Sequence, residues 1–259
     1  AVSLAEEAVA KGAEFITTPE YCGGLKTQGS AFTPPSAPEE SHPVLNGLRA
    51  FAKNKKKFFL IGSIAINGPD NKILNRSFVI DDKGNIISRY DKIHLFDVNL
   101  SERRSYRESA SVHGGNKAVI CQTPFAMMGQ TICYDLRFPN LYRELSQSGA
   151  EILFVPAAFT QKTGQAHWHV LNRARAIENG AFVVAPCAIG KVDGGGASYG
   201  HSLIINPWGE ILADGGDQVG VINAVIDLDE VGIARQRIPS LRHDKSFGIT
   251  ESVEIKATQ

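Results

Sequence analysis

A chain of 259 residues, 43% hydrophobic and 21% charged, carries enough apolar material for one large folded domain that needs no covalent staples. Its 27 basic and 27 acidic residues cancel, and its longest basic run, Lys55-Lys56-Lys57, suits a solvated helix end; both facts argue against nucleic acid as a partner. Nothing approaches the roughly 18 consecutive apolar residues of a membrane span, and four scattered cysteines without a C-x-x-C pair fit a reducing cytoplasm better than a disulfide framework or a structural zinc site.

The elements alternate between α and β. Residues 1–11 place Val2, Leu4, Ala5, Ala8 and Val9 on one helical face and stop at Gly12. A strand follows over Glu14–Thr18 and ends at Pro19-Glu20. Residues 23–43, rich in Gly, Ser and Pro, form a long surface loop. Val44–Asn54 has helical periodicity and Lys57–Ile66 that of a strong strand. Asn75–Tyr90 makes a hairpin turning at Asp81-Asp82-Lys83-Gly84. A loop over Lys92–Lys117 leads to a strand pair, Ala118–Cys133. Then come a helix (Leu141–Ser148), a strand (Glu151–Pro156), a helix (about His167–Glu178) and a strand (Ala181–Pro186). The chain closes with a hairpin around Asn206-Pro207-Trp208-Gly209, a strand (Gly220–Ile226) and a short helix near Glu230–Gln236.

These units repeat. GAEFITTP at Gly12–Pro19 answers GAEILFVP at Gly149–Pro156, KKFFLIGSIAI answers NGAFVVAPCAI, and SFVIDDKGNII answers SLIINPWGEIL with Gly84 and Gly209 in matching turns. Three pairs in one order predict two similar α-β-α-β-β halves within a single domain, 1–259, whose residues 240–259 form a tail. Ala1 aligns near Phe138, so the first half lacks a partner for the strand before Cys133; the expectation is a further strand preceding Ala1.

Three polar residues end strands: Glu20 after EFITT, Lys92 after NIISRY and Cys133 after MMGQTI. Strand C-termini gather along one edge of an open sheet, so three such groups can converge. A thiol near its ordinary pKa is mostly protonated at neutral pH and gains from a nearby base or cation. Glu20 can take its proton and hand one to a leaving amine, while Lys92 can stabilise thiolate and oxyanion. The Tyr134 backbone N–H supplies a second oxyanion donor. Lys92 among carboxylates is expected to keep the thiol reactive near neutrality.

PEY around Glu20, RYDKIHLFD around Lys92 and GQTICYDLRFP around Cys133 resemble the three signature blocks of the nitrilase (carbon–nitrogen hydrolase) superfamily, in order and spacing, from residue 1 to about residue 245. The resemblance implies an α/β fold, a four-layer αββα sandwich with an internal pseudo-two-fold. It implies that Cys133 attacks an amide or nitrile carbon, that Glu20 is general base and acid, and that Lys92 stabilises the tetrahedral intermediate. Ammonia leaves and water hydrolyses the thioester, without metal or organic cofactor. By the same resemblance Glu108 of YRES positions Lys92. HLFDV, TGQAHWHVLNRARAIE and YGHSLIINPWGE are most similar to the Nit-type amidases, which act on ω-amides of keto acids or on deaminated glutathione. Substrates of that kind carry carboxylates, so Arg137 is expected as a clamp, with Phe159 and Thr163 lining the pocket. The resemblance also implies homodimers or larger homo-oligomers, with the segment after Pro239 reaching across a neighbour.

Plainer readings compete. Free cysteine is commonly a core thiol, as expected for Cys22, Cys121 and Cys187. Without the family pattern a surface ion pair is the favoured reading of both Glu20 and Lys92, and Glu108 could be a cap or a solvated charge. Asp135 and Arg137 could pair with each other. His167-Trp168-His169 offers two imidazoles but no third ligand, so a packed helix face is favoured over a metal site. Gly194-Gly195-Gly196 lacks a phosphate-binding context and is expected to be a flexible loop. A Cys-His-Asp hydrolase would want glycines around a nucleophile elbow, which Thr131 and Asp135 do not supply, with His201 its one attractive base. The remaining rivals are a true nitrilase and a catalytically silent assembly module.

Overall fold

A computed structural model of the protein describes residues 2–101 and 104–250. Its strands β1 (Phe15–Thr17), β2 (Ser36–Ala37), β3 (Phe58–Asn67), β4 (Ile73–Ile80) and β5 (Ile86–Asp91) form one sheet. β1 and β2 both pair parallel to β3, while β3–β4 and β4–β5 are antiparallel. A second sheet runs β6 (Val119–Gln122), β7 (Met127–Gln130), β8 (Ile152–Phe154), β9 (Phe182–Ala185), β10 (Leu203–Ile205), β11 (Ile211–Asp214). There β7–β8 and β8–β9 are parallel and the other pairs antiparallel. The path β1-β3-β4-β5 thus recurs, sense for sense, as β8-β9-β10-β11.

The matching hairpin turns are also built alike. Asp81 Oδ1 accepts the N–H groups of Lys83 and Asn85 at 2.9 and 2.7 Å. Asn206 Oδ1 accepts those of Trp208 and Glu210 at 3.0 and 2.9 Å. In each turn the side chain of the first residue mimics a backbone carbonyl.

Helices α1 (Val2–Ala10) and α2 (Pro43–Lys55) bury Ala5, Ala8, Leu45 and Leu48 with Phe59, Ile61, Phe78 and Ile80 of the first sheet. α2 starts with Pro43 at a position whose N–H needs no partner and stops at left-handed Lys56. Helices α3 (Pro139–Gln147) and α4 (His169–Asn179) cover the second sheet around Leu145, Leu153, Ala176 and Val183. A third cluster joins the sheets, with Leu60 and Val79 meeting Met128, Phe154, Phe182 and Ile204. β3 is therefore packed on both faces and is apolar almost throughout, as burial on two sides demands.

Four expectations need correction. Residues 220–226 form no strand; only Ile222, Ala224 and Ile226 turn inward against the cluster between the sheets. The stretch after Lys92 contains a hairpin, Asp97–Ser101 with Arg104–Arg107, and the loop from residue 23 contains the short pair Thr27–Gln28 with Ala31–Phe32. Both hairpins are polar on their solvent side; Gly29-Ser30 between Gln28 and Ala31 is a two-residue turn signal that a reading of residues 23–43 as one loop passes over, whereas residues 102–103 carry no such dipeptide. The strand before Cys133 stops at Gln130, and the chain reaches the cysteine through two further residues.

Candidate active site

β1 ends at Thr17 and the chain crosses over β3 where Gly62 lies. A Cβ there would stand 1.9 Å from the Thr18 carbonyl oxygen and 2.5 Å from that of Pro19, so only glycine admits the crossing. Hydrogen bonds from Gly62 N–H to Thr18 Oγ1 (3.1 Å) and from Tyr21 N–H to Ser63 Oγ (2.9 Å) then hold the segment carrying Glu20. β5 ends at Asp91 and delivers Lys92 as the next residue.

Cys133 opens a 3-10 turn, Cys133–Arg137, with φ of 50°. A β-carbon disfavours that conformation, and the bond from Cys133 N–H to Pro156 O at 2.9 Å helps to hold it. The strained turn of a nucleophile elbow is present without its glycines. Asp135 ties this turn to the lysine block: its carboxylate accepts from Tyr90 Oη (2.6 Å), Ile132 N–H (2.8 Å) and His94 N–H (3.0 Å), and lies 2.7 Å from His94 Nδ1. Tyr90 and His94 flank Lys92, so one carboxylate fastens the strand ends together. Asp135 does not pair with Arg137, because these four partners occupy both its oxygens.

At the centre, Lys92 Nζ lies 2.9 Å from Glu20 Oε1 and 2.9 and 3.1 Å from the two oxygens of Glu108, all three residues being buried. Glu108 reaches the centre from a 3-10 turn after the unanticipated hairpin, and Phe96 N–H donates to it at 2.6 Å. Ala158 N–H donates to Glu20 Oε2 at 2.8 Å. Asn75, which sequence reasoning missed, donates its side-chain amide to Glu20 (2.9 Å) and Glu108 (3.2 Å), and its backbone carbonyl accepts from the Lys92 backbone N–H at 3.0 Å. No motif marks it, since in sequence it is an ordinary polar residue at a strand start.

Burial works against the Lys92 charge, but the carboxylates of Glu108 and Glu20 more than offset it and hold the ammonium well above its ordinary pKa. Burial, reinforced by the Glu20 charge, raises the Glu108 carboxyl against the pull of Lys92. The Cys133 thiol is pushed well above its ordinary value, first by burial and then by the Glu20 charge, with Lys92 pulling the other way. Two carboxylates outweigh one ammonium. The resting thiol is thus protonated and hydrogen-bonded toward Glu20, contrary to the expectation of a thiol reactive near neutrality.

Glu20, Lys92 and Cys133 line a small pocket whose walls include Phe159 and Thr163. Arg137 does not line it: the guanidinium lies over the Phe159 ring at 5.7 Å, and Nη2 meets His167 Nδ1 at 3.1 Å. Gly195 does line it, as does Thr27. The neighbouring Gly194, at φ of 92°, approaches so closely that a Cβ would stand 1.7 Å from the Thr27 carbonyl oxygen. The triple-glycine loop is therefore a pocket wall.

The carbon–nitrogen hydrolase family model matches residues 1–236. The chain belongs to the carbon–nitrogen hydrolase family. It is similar to the deaminated glutathione amidase of Synechocystis, at 39% identity over 94% of this chain and 90% of that one. It is also similar to human Omega-amidase NIT2, at 32% identity over 95% of this chain and 88% of that one. Among solved structures, the C. elegans NitFhit protein superposes with a TM-score of 0.82 at 29% identity, over 94% of this chain. The chain spans 60% of the length of NitFhit. Nit3 of Saccharomyces cerevisiae gives 0.79 at 27% identity, over 93% of this chain and 87% of that one. The mixed α/β fold of this carbon–nitrogen hydrolase is thus that of the nitrilase superfamily. Among its described residues no helix is long and apolar enough to cross a membrane, and Cys22, Cys121, Cys133 and Cys187 are all free thiols.

Proposed function

We propose that this carbon–nitrogen hydrolase cleaves the amide C–N bond of a small carboxylate-bearing substrate through a thioester on Cys133. The observation that carries the reading is the buried ammonium of Lys92 held between Glu20 and Glu108 beside the Cys133 thiol at one pocket. Sγ attacks the amide carbon as Glu20 removes its proton, so no free thiolate has to be stored. The oxyanion that forms meets the Lys92 ammonium and the Tyr134 N–H, which lies in the first turn of the 3-10 segment where helical carbonyls do not reach. Glu20 returns the proton to the nitrogen, ammonia departs, and the thioester remains. Water, oriented by Glu108 and deprotonated by Glu20, attacks the thioester; the acid leaves and the proton passes back to sulfur.

The names of the relatives support amides of carboxylate-bearing acids as the substrate class. Phe159 and Thr163 contact the acyl portion in this proposal, and Arg137 turns from His167 toward the pocket to meet the carboxylate. The same reading takes the three apolar clusters as the interfaces of a four-layer αββα sandwich with an internal pseudo-two-fold, supported by the recurring strand path. It also takes the chain as a homo-oligomer.

Ammonia release from 2-oxoglutaramate, deaminated glutathione and simple nitriles tests the reaction. The native chain should release ammonia from at least one carboxylate amide, and Cys133→Ala should release none. Release from nitriles alone would favour a nitrilase, and no release from any of them by the native chain would favour an assembly module.

A further inference from the structure

His167 and His169, adjacent in the sequence motif, part company in the fold. His167 meets Arg137, whereas His169 meets two groups from the far end of the second half. His169 Nε2 lies 3.0 Å from Asp214 Oδ2, and His201 Nδ1 lies 2.9 and 3.2 Å from the two oxygens of the same carboxylate. One ligand atom from each residue falls within 4.8 Å of the others. None of the three residues lines the pocket described above.

The side chains are anchored independently of one another. His201 sits at φ of 53°, its N–H donating to Gly216 O (2.7 Å) and its carbonyl accepting the Trp168 indole N–H (2.7 Å). The Tyr199 ring stacks on its imidazole at 4.5 Å. Asp214 ends β11 and accepts Gly216 N–H at 2.8 Å, while His169 begins α4. The side chains keep 29%, 26% and 33% of their surface exposed, enough for an ion to enter and retain water.

We propose that His169, His201 and Asp214 form a binding site for a zinc-class divalent cation, with the fourth position left to water. Two imidazole nitrogens and one carboxylate oxygen favour Zn²⁺, Co²⁺, Ni²⁺ or Cu²⁺ over Mg²⁺ or Ca²⁺, which prefer all-oxygen sites. A tetrahedral ion with bonds of about 2.1 Å sets its donor atoms about 3.4 Å apart. The nitrogen–oxygen separations here need to open by only a few tenths of an ångström. Coordination through His169 Nε2 and His201 Nδ1 requires each of these nitrogens to offer its lone pair to the ion, which leaves the ring protons on His169 Nδ1 and His201 Nε2 in the ion-bound site. The ion clips the start of α4 to the strands that follow it. Trp168 and Tyr199 both contact the pocket-wall residue Phe159, through ring centroids 4.9 Å apart and a 2.8 Å backbone bond, so the clip stiffens that wall.

Calorimetric titration with Zn²⁺ and visible absorption with Co²⁺, on the native chain and on Cys133→Ala, test the site. The expected result is saturable binding of one ion per chain in both proteins, with a tetrahedral Co²⁺ band. Asp214→Asn and His169→Gln should each lower the affinity at least about tenfold and abolish the Zn²⁺-dependent rise in melting temperature, while His167→Gln leaves both unchanged. Absent saturable binding, binding indifferent to Asp214→Asn and His169→Gln, or binding lost in Cys133→Ala would each overturn the proposal.

Discussion

At the scale of single residues the site is governed by an excess of negative charge. Glu20 and Glu108 share Lys92, and the Asn75 amide bridges the two carboxylates so that they tolerate each other. Burial first, and then the Glu20 charge, disfavours a negative charge on sulfur, so Cys133 keeps its proton until Glu20 accepts it. Iodoacetamide should therefore label Cys133 more slowly than a free thiol at neutral pH, with labelling rising only in alkali. In Glu20→Gln the charge is gone, so the labelling profile should move to lower pH while amide turnover falls by about 10²–10⁴-fold. A labelling profile that stays in place or moves upward in that variant would contradict the account. The same shift acts on stability. Since the folded thiol titrates above the unfolded one, its contribution is complete below about pH 8.5 and is lost as pH rises through the folded value. The urea midpoint of wild type should accordingly fall more steeply in alkali than that of Cys133→Ala.

At the scale of elements, strand ends do the positioning. Glu20 and Lys92 follow β1 and β5 closely enough that alternation and turn residues locate them. Cys133 is further from its strand than the apolar run suggested, because buried Thr131 and Ile132 carry the chain past Gln130, the last residue of β7. Gly62 was illegible in sequence: within an apolar strand a glycine has no visible purpose until another backbone is laid against it. Gly62→Ala should push the Thr18–Pro19 backbone away from β3 and displace Glu20. The expected loss is at least about 100-fold in kcat/KM, since an ångström of misplacement has that effect, together with a destabilisation of about 1–3 kcal/mol. Steady-state kinetics and urea unfolding measure the two. A variant with native turnover would show that Glu20 does not depend on this crossing.

At the scale of the whole molecule, α4 carries exposed apolar side chains that no other described residue covers. Val170 is 67% exposed, Ile177 lies one turn pair further along, and Trp208 stands beside it in the β10–β11 turn. Contiguous exposed apolar groups of this size commonly mark an interface between chains, which fits the homo-oligomer in the proposed function. Val170→Asp should lower the mass measured by light scattering while leaving the monomer fold intact, because the side chain makes few contacts of its own. An unchanged mass would move the interface elsewhere. The segment after Pro239 also packs on its own α3: Arg143 pairs with Asp244 at 2.6 Å and Gln147 donates to Leu241 O at 2.9 Å.

Local pattern alone placed most of the helices and strands and suggested the repeat of the two halves, because apolar periodicity is written over a few neighbouring residues; Glu20, Lys92 and Cys133 stood out only once strand-end polarity was joined to the family resemblance of their blocks. Only the tertiary structure decided how the thiol is charged, that Asn75 and Gly62 belong to the site, that Asp135 binds Tyr90 and His94 instead of Arg137, and that His169 finds His201 and Asp214. Those outcomes depend on burial and on separations of a few ångströms between residues tens of positions apart, and one-dimensional order does not encode such distances.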